Sequence, residues 1–280
     1  MTAQSPSSQP KNRTDLPRKL ALAVTLMGVA VLLYFEVCKP TLSGDEVLQR
    51  LMTMTVTRMT GAAVFFAILA SLGYRVLNPF RKPFFKSLLF CIPAILVVVN
   101  NMPILSMIWG DAYIVHGDWY HWLWFALECL SIGLFEEAAF RGVVLLLLAE
   151  KRRTTTKGLF LSIILSSAVF GVIHLANILT GANPGAVILQ IGYSFLIGAM
   201  CSVVLFKTAN LWLCVMLHAV YDFSGNLMPT LGAGTWWDMP TVIITVVLAV
   251  FTTVYMVVSF VRMKPAEVER IYVKDAETSA

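Results

Sequence analysis

The chain is dominated by long apolar runs with almost no charge inside them, at about 20–37, 57–77, 85–108, 119–149, 158–180, 185–206, 209–227 and 240–262. Each is close to the roughly 20 residues a helix needs to cross a hydrocarbon core. Composition agrees. The chain is 58% hydrophobic and 13% charged, with a mean hydropathy of +0.76, whereas a soluble domain carries about 25% charged residues. So few polar groups cannot cover a water-facing surface of this size. The expectation is an all-α, polytopic transmembrane bundle of about eight helices. A soluble enzyme, a nucleic-acid-binding domain and a disordered tail protein are excluded.

Organisation follows from the same runs. Residues 1–17 are polar and rich in Ser, Gln and Pro and read as a flexible tail. Arg18-Lys19 then opens a first run that is too long for a signal peptide and lacks a small-x-small cleavage site. Residues 18–118 hold three helices, the third interrupted by Pro93 and Pro103. Residues 119–226 hold the helices that carry ionisable groups. Residues 227–262 form a loop and the last helix, and 263–280 a cytoplasmic C-terminal tail. No internal repeat is visible.

The basic residues set an orientation. With a cytoplasmic N-terminus, 17 of the 21 Lys and Arg fall in cytoplasmic segments. The opposite side holds only Lys39, Arg50 and Arg58, and Arg141 alone lies inside a helix. That bias is the positive-inside pattern, and an even number of spans places both termini in the cytoplasm. The five cysteines show no metal-ligand spacing and read as packing residues.

The informative groups are those that do not belong in lipid. The fourth run carries Glu128, Glu136, Glu137 and Arg141; the fifth carries His174; the seventh carries His218 and Asp222. Each charge at a bilayer centre costs at least about 2.5–3.5 kcal/mol. Glu136, Glu137, Arg141 and Asp222 facing lipid would cost on the order of 10 kcal/mol, the size of a whole native stability. They must face the interior and one another. Glu137 and Arg141 stand at i and i+4 in the favourable order for an ion pair. Glu136 projects about 140° from Arg141, which leaves it free to take a proton. Phe170 and His174 share a face, as do His218 and Asp222, and a carboxylate one turn from a histidine can orient its ring. His116 and His121, near Trp119, Tyr120 and Trp122, read as members of an interfacial aromatic belt.

Glutamate and histidine together suggest water activation and peptide hydrolysis. A HExxH zinc motif is absent. So is a second membrane aspartate to pair with Asp222, and Ser194 is the nearest candidate for a serine dyad. The order Glu136-Glu137-x-x-x-Arg141, Phe170-x-x-x-His174, His218-x-x-x-Asp222 resembles the CPBP family of intramembrane proteases. That group of CAAX proteases and bacteriocin-processing (Abi) proteins includes the eukaryotic CAAX endopeptidases. The match covers roughly residues 119–226, with Asp222 the acidic variant of a motif ending in Asn or Asp.

The resemblance implies an endopeptidase in which Glu136 activates water with help from His174. Glu137 with Arg141 would hold the site's geometry, and His218 with Asp222 would stabilise the oxyanion. Phe170 would bind substrate or support the site. In a zinc enzyme Glu136, His174 and His218 would be the ligands; the lack of a close-spaced histidine pair favours metal-free chemistry. The implied partners are membrane lipids and a membrane protein or peptide, lipidated in the CAAX branch, with no nucleic acid. Short loops favour a prokaryotic plasma membrane, with an ER membrane the alternative. Two rival classes remain at this point, a proton-coupled transporter and a catalytically silent membrane binding protein.

Overall fold

The computed structural model describes residues 15–81, 83–179 and 181–272. Residues 1–14 and 273–280, which hold most of the two expected tails, lie outside the described residues. The architecture is all-α. Helices α1 (Asp15–Cys38) and α2 (Glu46–Leu72) form an antiparallel pair, and α1 leaves Leu22, Leu26 and Leu33 exposed on its other side. The third apolar run breaks, as its prolines require, into α3 (Phe84–Phe90), α4 (Ile92–Val99) and α5 (Ile104–Trp109). After strand β1 (Ala112–Ile114), one continuous helical stretch runs through α6 (Trp119–Glu136), a π-helix (Glu137–Leu145) and α7 (Leu146–Glu150). Then α8 (Thr156–Val172) ends in a 3-10 turn (Ile173–Leu175) and α9 (Ala176–Leu179). The chain continues through α10 (Pro184–Thr208), α11 (Leu211–Leu231), β2 (Gly232–Gly234), α12 (Met239–Val261) and α13 (Pro265–Tyr272).

Side-chain caps set several of these boundaries. Asp45 accepts from Leu48 N–H to start α2, Thr155 accepts from Gly158 to start α8, and Asn210 accepts from Trp212 to start α11, each relieving an orphan donor of a first turn. Gly73 ends α2 at φ 76°, a left-handed conformation that glycine adopts freely.

Among the described residues, six helical stretches are long and apolar enough to cross a membrane: Arg18–Cys38, Glu46–Leu72, Ile92–Trp109 (α4 and α5 together), Thr156–Leu179, Pro184–Thr208 and Met239–Val261. The stretch 119–150 and α11 are not among them, and these two carry Glu128, Glu136, Glu137, Arg141, His218 and Asp222. The least lipid-compatible segments are packed among the other helices: α6 packs against both α2 and α11. Gly133 permits that approach, since a Cβ there would lie 2.7 Å from the Val215 carbonyl oxygen.

The two ends of the bundle differ. At one end β1 and β2 pair antiparallel, with Ala112 opposite Gly234 and Ile114 opposite Gly232, over a core of Leu51, Phe125, Leu227 and Leu231. At the other, α13 folds back under the bundle in the segment expected as a tail. Val268 and Ile271 are fully buried there with Leu145, Leu205 and Phe206, and Arg75 N–H donates to the Ile271 carbonyl at 2.9 Å. Arg153 grips Glu269 through Nε at 2.7 Å and Nη2 at 3.0 Å. That hydrogen-bonded guanidinium holds the Glu269 carboxyl below its ordinary pKa.

One expectation needs correcting. Arg50 and Arg58 do not lie in a loop; both are within α2, because the Asp45 cap starts that helix well before the apolar run. Arg58 is tolerated there because its Nη1 lies 3.0 Å from Oε1 of Glu128 on α6.

Candidate active site

The sequence Glu136-Glu137-Ala-Ala-Phe-Arg141 lies at the junction between α6 and the π-helix, with Glu136 the last α residue and Glu137 the first π residue. A π segment widens the helix by accommodating an extra residue and recurs at functional sites. Ala138, Ala139 and Gly142 are buried along it, and Ser166 of α8 donates through Oγ to the Phe140 carbonyl at 3.1 Å. The widened turn is thus held from a neighbouring helix.

Glu137 and Arg141 are 0% and 1% exposed, with Arg141 Nη1 3.1 Å from Glu137 Oε1. The same oxygen accepts from His218 Nδ1 at 2.6 Å. One buried carboxylate therefore ties α11 to the π-helix and fixes which edge of the His218 ring points into the site. Sequence spacing suggested Asp222 as the group orienting His218; in the structure Glu137, from another helix, holds Nδ1, and Asp222 stands on the opposite edge.

That opposite edge is where the remaining carboxylates gather. His218 Nε2 lies 3.4 Å from Glu136 Oε2 and 3.5 Å from Asp222 Oδ2. Glu136 keeps 20% of its side chain exposed, against none for Glu137. The two adjacent glutamates are thus separated by environment, one locked and one open. Asp222 Oδ2 is buried without a hydrogen-bond partner, leaving acceptor capacity directed at the same space.

Glu136, His174, His218 and Asp222 all line one cavity of about 740 Å³. Phe170 is the packing hub behind them. Its ring meets His174 edge-on at 5.2 Å and His218 at 5.8 Å, and Arg141 Cζ sits 4.3 Å from its centroid. His174 lies in the 3-10 turn, with Nδ1 2.9 Å from the Phe170 carbonyl. A bond to that carbonyl makes Nδ1 the donor and leaves Nε2 for the site.

Several cavity residues were not singled out in sequence. Arg50, Arg58 and Asn101 line it from α2 and the α4–α5 link, and Gln190 and Tyr193 from α10. Ser194, the candidate for a serine dyad, also lines it and is 4% exposed. Arg58 carried a signal, a lone cation beside an apolar run; the others are ordinary helix residues until the helices pack. Gly198 of α10 is a further support. A Cβ there would lie 2.9 Å from Arg141 Nη2 and 3.2 Å from Ser167 Cβ. Gly198→Val should push the guanidinium off Glu137 and destabilise the protein by about 3–5 kcal/mol, the scale of breaking a buried ion pair. Thermal melting of the detergent-purified variant checks this.

A zinc ion on Glu136, His174 and His218 would need one ligand atom from each to converge. Among the described residues, the groups whose ligand atoms lie within 4.8 Å of one another are Asp45–His116–His121 and Glu137–Cys201–Cys214. The expected set does not fit a three-ligand ion in this arrangement.

Fold and site together define an integral membrane protein with an acid–base centre enclosed among its helices. Residues 118–224 match the family described as Rce1-like, type II CAAX prenyl endopeptidase, a match that supports a relation to the CPBP/CAAX proteases. Searches of curated proteins and of solved structures found no match. The matched segment begins one residue before α6 and contains Glu136, Glu137, Arg141, His174, His218 and Asp222, while the cavity arginines Arg50 and Arg58 lie outside it.

Proposed function

We propose that the protein is an intramembrane endopeptidase that cuts a lipid-modified, CAAX-like membrane substrate by glutamate-activated water. The observation that carries this reading is the His218 ring, held through Nδ1 by Glu137 and presenting Nε2 to Glu136 and Asp222. Glu136 accepts a proton from water as the water oxygen attacks the scissile carbonyl carbon. The carbonyl electron pair moves onto oxygen. A protonated His218, donating through Nε2 with Asp222 beside it, stabilises that oxyanion. His174 positions the water through its free Nε2. As the C–N bond breaks, the proton held by Glu136 passes to the leaving amine, and the carboxylate is regenerated.

Support for a lipidated substrate comes from a second, almost wholly apolar cavity of about 680 Å³. Phe160, Ile163, Phe195, Met256 and Val257 line it, and it shares Asn101, Tyr193, Leu196, Ile197, Tyr221 and Trp237 with the polar cavity. An acyl or prenyl chain in the groove would lie beside a peptide in the site. The short connecting segments fit a prokaryotic plasma membrane. The test uses detergent-purified protein with a farnesylated peptide ending in a CAAX sequence and its unmodified twin. Cleavage of the prenylated peptide alone, after the modified cysteine, is expected. Equal cleavage of both removes the lipid-recognition part of the reading, and cleavage of neither removes the CAAX substrate.

A further inference from the structure

At the end of the bundle where β1 and β2 pair, three residues that do not line the catalytic cavity converge from separate segments. Asp45 caps α2, His116 sits in the link between β1 and α6, and His121 lies in the first turn of α6. One ligand atom from each falls within 4.8 Å of the others. His121 is not the interfacial belt residue expected from sequence. It is 3% exposed, enclosed by Tyr120 at 4.6 Å and His116 at 5.2 Å between ring centroids. Its Nδ1 is buried without a hydrogen-bond partner.

We infer that Asp45, His116 and His121 form a zinc site distinct from the catalytic centre. The donor set, two imidazoles and one carboxylate, is one that zinc takes with a water in the fourth position. Bonds of about 2.0–2.2 Å at tetrahedral angles place ligand atoms about 3.3–3.5 Å apart. His121 Nε2 and Asp45 Oδ2 are 3.3 Å apart, a separation long for a charge-assisted hydrogen bond and matched to a shared ion. The division of labour on Asp45 fits as well: Oδ1 accepts from Leu48 N–H at 2.8 Å, and Oδ2 is left for the ion. The Asp45 side chain is 39% exposed, so solvent can supply both metal and fourth ligand.

A carboxylate also stands near the second nitrogen of His121, without bonding it in this arrangement. With Nε2 on the metal, Nδ1 of His121 must carry the proton, and Asp118 Oδ2 lies 4.0 Å from it. Asp118 occupies the N-cap position of α6 yet makes no side-chain cap bond; its Oδ2 accepts from Tyr120 Oη at 2.7 Å. A carboxylate behind a ligating histidine is the usual way to fix ring and tautomer. Backbone bonds hold the third ligand's loop, since Val115 and His116 N–H both donate to the Leu231 carbonyl, at 2.8 and 2.9 Å. The ion would staple the α1–α2 link, the β1–α6 link and the start of the helix that ends in Glu136.

The test is metal content of full-length protein purified in detergent through a tag without histidine, stripped with chelator and titrated with zinc alone. One zinc per chain and a raised melting temperature are expected. Glu136→Ala and His174→Ala should keep that zinc. His116→Ala and His121→Ala should lose it. Asp45→Asn should also lose it while keeping the α2 cap, since Asn caps as well as Asp. Asp118→Asn should weaken zinc binding by about 10–100-fold. If His121→Ala does not fold, His116→Gln at a partly exposed loop position reads the same loss. No stoichiometric zinc on wild-type protein overturns the inference. So does zinc that survives all three ligand variants, or that disappears with Glu136→Ala while the triad is intact.

Discussion

Glu136→Gln lowers the rate of peptide hydrolysis by about 10²–10⁴-fold, the range associated with loss of a general base, while leaving the protein folded and substrate affinity nearly unchanged. The amide has the shape of the carboxylate but cannot hold the proton taken from water. Its folding cost is small because Glu136 is partly exposed to the cavity and, among the described residues, faces His218 rather than an arginine. Single-turnover rates on a lipidated peptide, with a binding measurement on the same samples, check the split. A variant that retains a tenth or more of the wild-type rate assigns water activation elsewhere in the cavity.

The second large effect falls on stability. Glu137→Ala leaves Arg141 as an unpaired cation that is 1% exposed, and breaking one side of a buried pair costs about 3–5 kcal/mol. At roughly 2–4 °C per kcal/mol, the melting temperature in detergent should fall on the order of 10 °C. Replacing both partners, as in Glu137→Leu with Arg141→Met, removes the stranded charge, and apolar replacement of a buried pair is often neutral or stabilising. The double variant should therefore recover most of the lost stability. It should not recover activity, because His218 Nδ1 no longer has the acceptor that sets its orientation. Recovery of both would make Glu137 dispensable to the chemistry. Failure to recover stability would show that the Glu137–His218 bond outweighs the ion pair in holding α11.

Much of the site was legible because its pairs are local. Glu137 and Arg141 are one turn apart, and the cost of charge in lipid forces them to meet. Phe170 and His174 were readable for the same reason. What spacing could not supply was the partner across helices. His218 and Asp222 are one turn apart too, yet the stronger contact to the ring comes from Glu137, 81 positions away in the chain. The π-helix was invisible because period arguments assume a single repeat, so the angle assigned between Glu136 and Arg141 described a geometry that the backbone leaves at residue 137. Arg58 was misplaced because its neutralising group, Glu128, sits on a different helix. His121 was misread for a related reason. Aromatic neighbours in sequence suggest a membrane interface, but the α1–α2 link brings Asp45 over the ring and buries it.

The docked α13 has a consequence for traffic. Val268 and Ile271 stop one end of the bundle with fully buried side chains, and Tyr272 Oη donates to the Leu146 carbonyl at 2.9 Å. The cavity residues Thr230 and Trp237 flank β2 in the chain, at the end where it pairs with β1. The protein is built as a cup with a plugged base. Under the proposed hydrolysis, water would reach Glu136 from the end that carries the paired strands, and the lipid chain of a substrate would lie in the apolar cavity beside it. On that reading a bound peptide does not stopper its own supply of water.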